Sequence, residues 1–118
     1  MSFQEELRKF YKMDDEDKAS RAERFVNNIE LLHACLGLSG ETGEVVDIIK
    51  KHVAYGKDID KQELLLELGD TLHYLSRIVD LCGFTLDEVM QGNIDKLNKR
   101  YPNGYNNLNA INQIEKKI

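Results

Sequence analysis

Proline occurs once in the chain, at position 102, and the apolar residues recur at intervals of three and four rather than two, so the whole length reads as α-helix. No alternating stretch supports a strand. The pattern resolves into four helices. Residues 2 to 12 place Phe3, Leu7, Phe10 and Tyr11 on one face of a short amphipathic helix, which the acidic run Asp14 to Asp17 interrupts. A second helix runs from about Asn28 to Tyr55, with Gly56 as its C-terminal cap. Asp60 followed by Glu63 opens a third, which carries Leu65, Leu68, Leu72, Leu75 and Val79 until Gly83 stops it. Thr85 and Glu88 make a capping box for a fourth, which runs to about Tyr101 and ends at Pro102. The asparagine-rich tail, residues 103 to 118, reads as a frayed helix or a docked arm.

The connection from Gly56 to Asp60 is too short for anything but an antiparallel hairpin of the second and third helices. That second helix is apolar on more than one side: Leu31, Leu38 and Val45 form one row, Leu32, Leu36 and Ile49 another. A helix of this kind is surrounded, and so short a chain has too few helices to surround it. The expected fold is therefore all-α: an antiparallel helical hairpin forming a four-helix-type bundle that is completed by oligomerisation. One domain is expected over residues 1 to 118, with its core at about 28 to 105.

No apolar run approaches the roughly 18 residues a membrane span needs, and MSFQEELRKF lacks the apolar centre of a signal peptide, which points to the cytoplasm and away from membranes. Cys35 and Cys82 lie among apolar residues without ligand spacing and read as buried, reduced thiols. A net charge of −5 argues against nucleic acid as a partner. It leaves room for a small anionic substrate where a metal or local lysines offset the repulsion.

Two segments interrupt the apolar helices with paired acids: GLSGETGEVVDIIKK, from Gly37, holds Glu41 and Glu44, and ELGDTLHYL holds Glu67 and Asp70. Residues three apart share a helix face, so each pair is a two-pronged ligand. Counting outward from Tyr55 and Lys61 brings Glu44 and Asp70 to within about 3 Å of one level, so the four carboxylates can meet. Four acids together demand something positive, and an all-oxygen set favours magnesium or manganese. Gly37, Gly40, Gly43 and Gly69 then read as sites where missing side chains let the two backbones approach, against a helix-propensity cost of about 1 kcal/mol each. A solvated acidic face is the bland alternative. Its weakness is that both pairs sit in strongly apolar helices.

The ExxE pair, the 22-residue gap, ELGD and the run NIDKLNKRYP from Asn93 together resemble the MazG-like all-α nucleoside triphosphate pyrophosphohydrolases, over roughly residues 28 to 105. That resemblance implies a helical bundle built from dimers or tetramers. It further implies magnesium-dependent hydrolysis of a nucleoside triphosphate between the α and β phosphates, giving the monophosphate and pyrophosphate. By the same resemblance Glu41, Glu44, Glu67 and Asp70 are the catalytic metal ligands, the ions polarise the phosphate, and one glutamate serves as base toward the attacking water. Asn93, Lys96 and Arg100 fall on one stripe of the fourth helix, where the cations would neutralise the triphosphate and Asn93 would donate to sugar or base. Tyr74, one turn after Asp70, is a candidate contact to sugar or base, and Lys51 a candidate phosphate contact. Core packing for Tyr74 and a solvated role for Lys51 stand beside those readings.

Gly40 and Leu66 stand where many relatives carry a further glutamate, and the tryptophan that some place around the base is absent. Two alternatives use other features. Glu30 with His33 and Asp70 with His73 have the spacing of ferritin-like di-iron bundles, but the same counting from the hairpin ends sets the two histidines about 15 Å out of level. A non-catalytic helical interaction module, its acids facing a basic partner, would bind magnesium weakly if at all.

Overall fold

The computed structural model describes residues 1–11, 17–108 and 110–112 of the chain. Five helices follow one another: α1 (Phe3–Leu7, continued by a 3₁₀ turn at Arg8–Phe10), α2 (Lys18–Asn27), α3 (Ile29–Tyr55), α4 (Lys61–Leu81) and α5 (Leu86–Arg100). There is no strand among the described residues.

The helix ends form where local chemistry places them. Ser2 and Glu5 bond reciprocally at the start of α1. Gly56 closes α3 in the left-handed region, φ 71°, where a side chain would strain the backbone. An Asp60 side-chain oxygen accepts the amide hydrogens of Gln62 and Glu63, and the Thr85 hydroxyl accepts that of Glu88. One helix departs from the expectation. α2 fills the stretch after the acidic run, capped by Asp17, whose carboxylate accepts from the Ala19 amide at 2.7 Å. The first helix is also shorter than residues 2 to 12, giving way to the 3₁₀ turn at Arg8. Asp14 to Glu16 lie outside the described residues; of the tail, residues 107–108 and 110–112 are helical and 113–118 again lie outside.

α3 and α4 pack against each other along the antiparallel hairpin. Ala34 and Val79 are its buried residues, and Leu31, Leu38, Val45, Leu64 and Ile78 are half-buried along the two helices. α5 meets α4 only sparsely, beside the shared turn where Phe84, Thr85 and Leu86 lie near Ser76 and Val79. It does not fold back along α4. No four-helix bundle therefore closes within one chain. The radius of gyration, 20.4 Å, measures the difference, since a compact chain of this length has about 13 to 14 Å.

The consequence is an uncovered apolar surface. Leu65, Leu68 and Leu72, spaced as the seam of a coiled coil, are 62%, 48% and 56% exposed, and Leu36, Val46 and Val53 stand open on α3. Cys35 and Cys82 are exposed too, not buried as their apolar neighbours suggest, because those neighbours are themselves uncovered in the single chain.

Candidate metal centre

The register of the hairpin decides which acids meet, and it differs from the count taken from the helix ends. The Lys57 amide donates to the Lys51 carbonyl, its own carbonyl lies 2.8 Å from His52 Nδ1, and Asp58, Asp60 and Glu63 border a small cavity with Asp47, Ile48 and Lys51. The connection thus turns back along α3 before α4 begins. Lys61 therefore starts beside the Asp47 turn rather than beside Tyr55, and the partners shift by two turns.

Glu41, Glu67 and Asp70 converge as a result: one carboxylate oxygen from each lies within 4.8 Å of the others. Glu41 and Glu67 are half-buried at the α3–α4 seam, while Asp70 is exposed. Glu44, expected to be level with Asp70, is exposed and outside the group. Among the described residues no ion pair reaches the three acids. The neighbouring hydroxyls are committed as well, Thr42 donating to the Leu38 carbonyl and Thr71 to that of Glu67. Hydrogen bonding to the Glu41 carboxyl therefore raises the Glu67 carboxyl above its ordinary range, with desolvation and the charges of Glu41, Asp70 and Glu63 adding to it. Three carboxylates brought together at one helix seam are the all-oxygen donor set a hard divalent ion takes.

The glycines play a narrower part than their number suggests. A Cβ on Gly40, Gly43 or Gly69 would have nothing within 4 Å, so in this chain none of them serves a close approach of backbones. Gly37 is different: its missing side chain makes room for the Tyr74 ring.

Tyr74 is half-buried beside the acids, flanked by His73 (ring centroids 5.2 Å apart, edge-on) and His33 (6.3 Å, tilted). The two histidines share one cavity, with Glu30, Ala34 and Arg77, instead of lying far out of level. The shifted register is again the reason. They join no group able to hold a metal among the described residues, since they flank the ring rather than converge with carboxylates. Arg77 Nη2 donates to Glu30 Oε2 at 2.6 Å across the two helices, a pairing invisible in sequence because its residues are 47 apart.

Lys51 Nζ sits 2.6 Å from Asp47, an ion pair that raises the lysine and, with Lys50 adding, lowers the aspartate. Asn93 and Lys96 are exposed on α5 and Arg100 is half-buried; among the described residues no hydrogen bond or ion pair joins any of them to the acidic group.

Comparison with known proteins adds independent testimony. No solved structure matches the chain. The Gene 37 protein of Mycobacterium phage L5 is 32% identical over 78 residues, covering 63% of this chain and 68% of the phage protein. The MazG nucleotide pyrophosphohydrolase domain matches residues 30–105, the stretch that contains the hairpin, the three converging acids and α5. A match over more than half of the chain, centred on the acidic seam, makes this protein a member of the MazG nucleotide pyrophosphohydrolase family.

Proposed function

We propose that the protein is a magnesium-dependent nucleoside triphosphate pyrophosphohydrolase, cleaving between the α and β phosphates to give the monophosphate and pyrophosphate. The observation that carries this reading is the convergence of Glu41, Glu67 and Asp70, with no ion pair to them among the described residues, in a MazG-family hairpin. These three would hold the ion, with Glu44 as the fourth candidate one turn along α3; their all-oxygen character suits Mg2+, with Mn2+ as a substitute. Bound there, the cation supplies the charge that offsets the carboxylates and polarises the phosphate.

The chain supplies the rest. A carboxylate of the set accepts the proton of the water that attacks the α phosphorus, and the pyrophosphate departs. Tyr74 borders the sugar and base. Lys96 and Arg100 neutralise the triphosphate, Asn93 donates to sugar or base, and Lys51, steadied by Asp47, is an outlying phosphate contact.

α5 does not run back toward the acids of its own chain, so its cations reach them most directly from a second copy. The accessible surface, 10004 Å², supports that arrangement: a compact chain of this mass exposes about 6,500 Å², and the excess is of the order that obligate subunit interfaces bury. We assign the open leucine seam of α4 to a homo-oligomer, dimer or tetramer. No described helix is long and apolar enough to cross a membrane, and a cytoplasmic setting is proposed.

The test is pyrophosphate release from a panel of natural and damaged nucleoside triphosphates, with and without chelator, and with Glu67→Gln as control. Orthophosphate as the first product, or turnover indifferent to chelation, would overturn the assignment. A non-catalytic interaction module predicts neither turnover nor a response to magnesium.

A further inference from the structure

We propose that Gly37 is a positioning residue for the nucleoside end of the substrate, acting through Tyr74; the proposal rests on the nucleotide reading above. Gly37 lies in the interior of a 27-residue helix, where glycine is less favourable than alanine. Among the described residues it is the one glycine whose Cβ position meets a neighbour: a Cβ built there would lie 2.6 Å from Tyr74 Cδ1 and closer still to Cε1. The space that a side chain would fill is occupied by the ring.

The ring's seat has a chemical consequence. Tyr74 lines a cavity of about 390 Å³ with His33 and His73 at its edges and the Arg77–Glu30 ion pair tying the two helices together at the same cavity. One helical turn, about 6 Å along the axis, separates Tyr74 from Asp70, the span between a phosphate at the acids and a nucleoside in the cavity. A methyl at position 37 pushes the ring away from α3. The acids, one to two turns further along the two helices, are left in place. The nucleoside therefore loses its fit while the cation and the phosphates keep theirs.

A double-mutant cycle with Gly37→Ala and Tyr74→Ala tests this in two arms. In the thermal arm, Gly37→Ala lowers the melting temperature when Tyr74 is present and raises it when the ring is gone, because only helix propensity then remains. In the kinetic arm, Gly37→Ala raises KM for the nucleoside triphosphate about tenfold while kcat stays within about twofold, and it has no further effect on KM in the Tyr74→Ala background. The melting shift induced by Mg2+ is unchanged throughout. Equal effects of Gly37→Ala in both backgrounds, or a loss of kcat at constant KM, overturn the proposal. Thermal coupling in a wild-type protein that hydrolyses no nucleoside triphosphate overturns the functional reading and the positioning role with it, leaving only the packing.

Discussion

The carboxylates of Glu41 and Glu67 meet across the α3–α4 seam, close enough that hydrogen bonding to the first raises the second above its ordinary range. Two acids from different helices are held together by the packing and pushed apart by their charge. Removing one charge and adding a cation therefore relieve the same repulsion by different routes. Glu67→Gln is expected to raise the melting temperature of the metal-free protein and to abolish the rise that Mg2+ produces in the wild type. At a hundredfold excess over Kd, a ligand bound only by the folded state contributes about 2.7 kcal/mol, which calorimetry resolves readily. Equal Mg2+ responses in variant and wild type would remove Glu67 from the site.

Kinetics separate the acids that converge from the one that does not. Glu41→Gln and Asp70→Asn are expected to lower pyrophosphate release by at least about a hundredfold, the scale of losing a catalytic carboxylate. Glu44→Gln has the same effect only if its exposed side chain joins the others when the ion binds. Full activity in that variant would strike Glu44 from the ligand set.

The uncovered leucines set a third expectation. Light scattering should give a multiple of 13.6 kDa, and Leu72→Glu, a charge placed in the open seam, should return the protein to a single chain and abolish turnover. Mixing Glu67→Gln with Arg100→Ala, each inactive alone, should restore about a quarter of the activity, because half of the random dimers are mixed and each has one intact site. No restoration, in a mixture shown to exchange subunits, would place α5 and the acids of one site on one chain.

Acid stability has a sign that the Asp47 pairs dictate. Lys51 at 2.6 Å and Lys50 at 3.3 Å hold the Asp47 carboxyl below its ordinary value of 3.8, with Lys57, Asp58, Asp60 and Glu63 bordering the same cavity. A depressed carboxyl contributes stability above its unfolded value and loses it as the pH falls through the folded one. Asp47→Asn should therefore lower the melting temperature at neutral pH, slightly because the pair is exposed, and the gap should close as the pH falls below 3.8. Molar salt should narrow it at any pH. A gap that persists in strong acid would mean that Asp47 acts through something other than its charge.

Helix ends and the candidate acids were legible in the chain alone, because each depends on neighbours within a few residues. Gly56, Asp60 and Thr85 stop or start helices through bonds to backbone groups no more than a turn away, and Glu41, Glu67 and Asp70 announce themselves by interrupting apolar runs. α2, which no sequence reading assigned, has local signals too, in the cap Asp17 and the amphipathic spacing of Ala22, Phe25 and Val26. What the tertiary structure decided was the register. A five-residue connection that turns back along α3 moves every partner by two turns, and that shift pairs Glu41 with Glu67, leaves Glu44 outside, seats Tyr74 on Gly37 and brings His33 and His73 to one cavity. Residue counting cannot supply it, because the path of the connection follows from which side chains pack across the seam, and those choices are made between residues tens of positions apart.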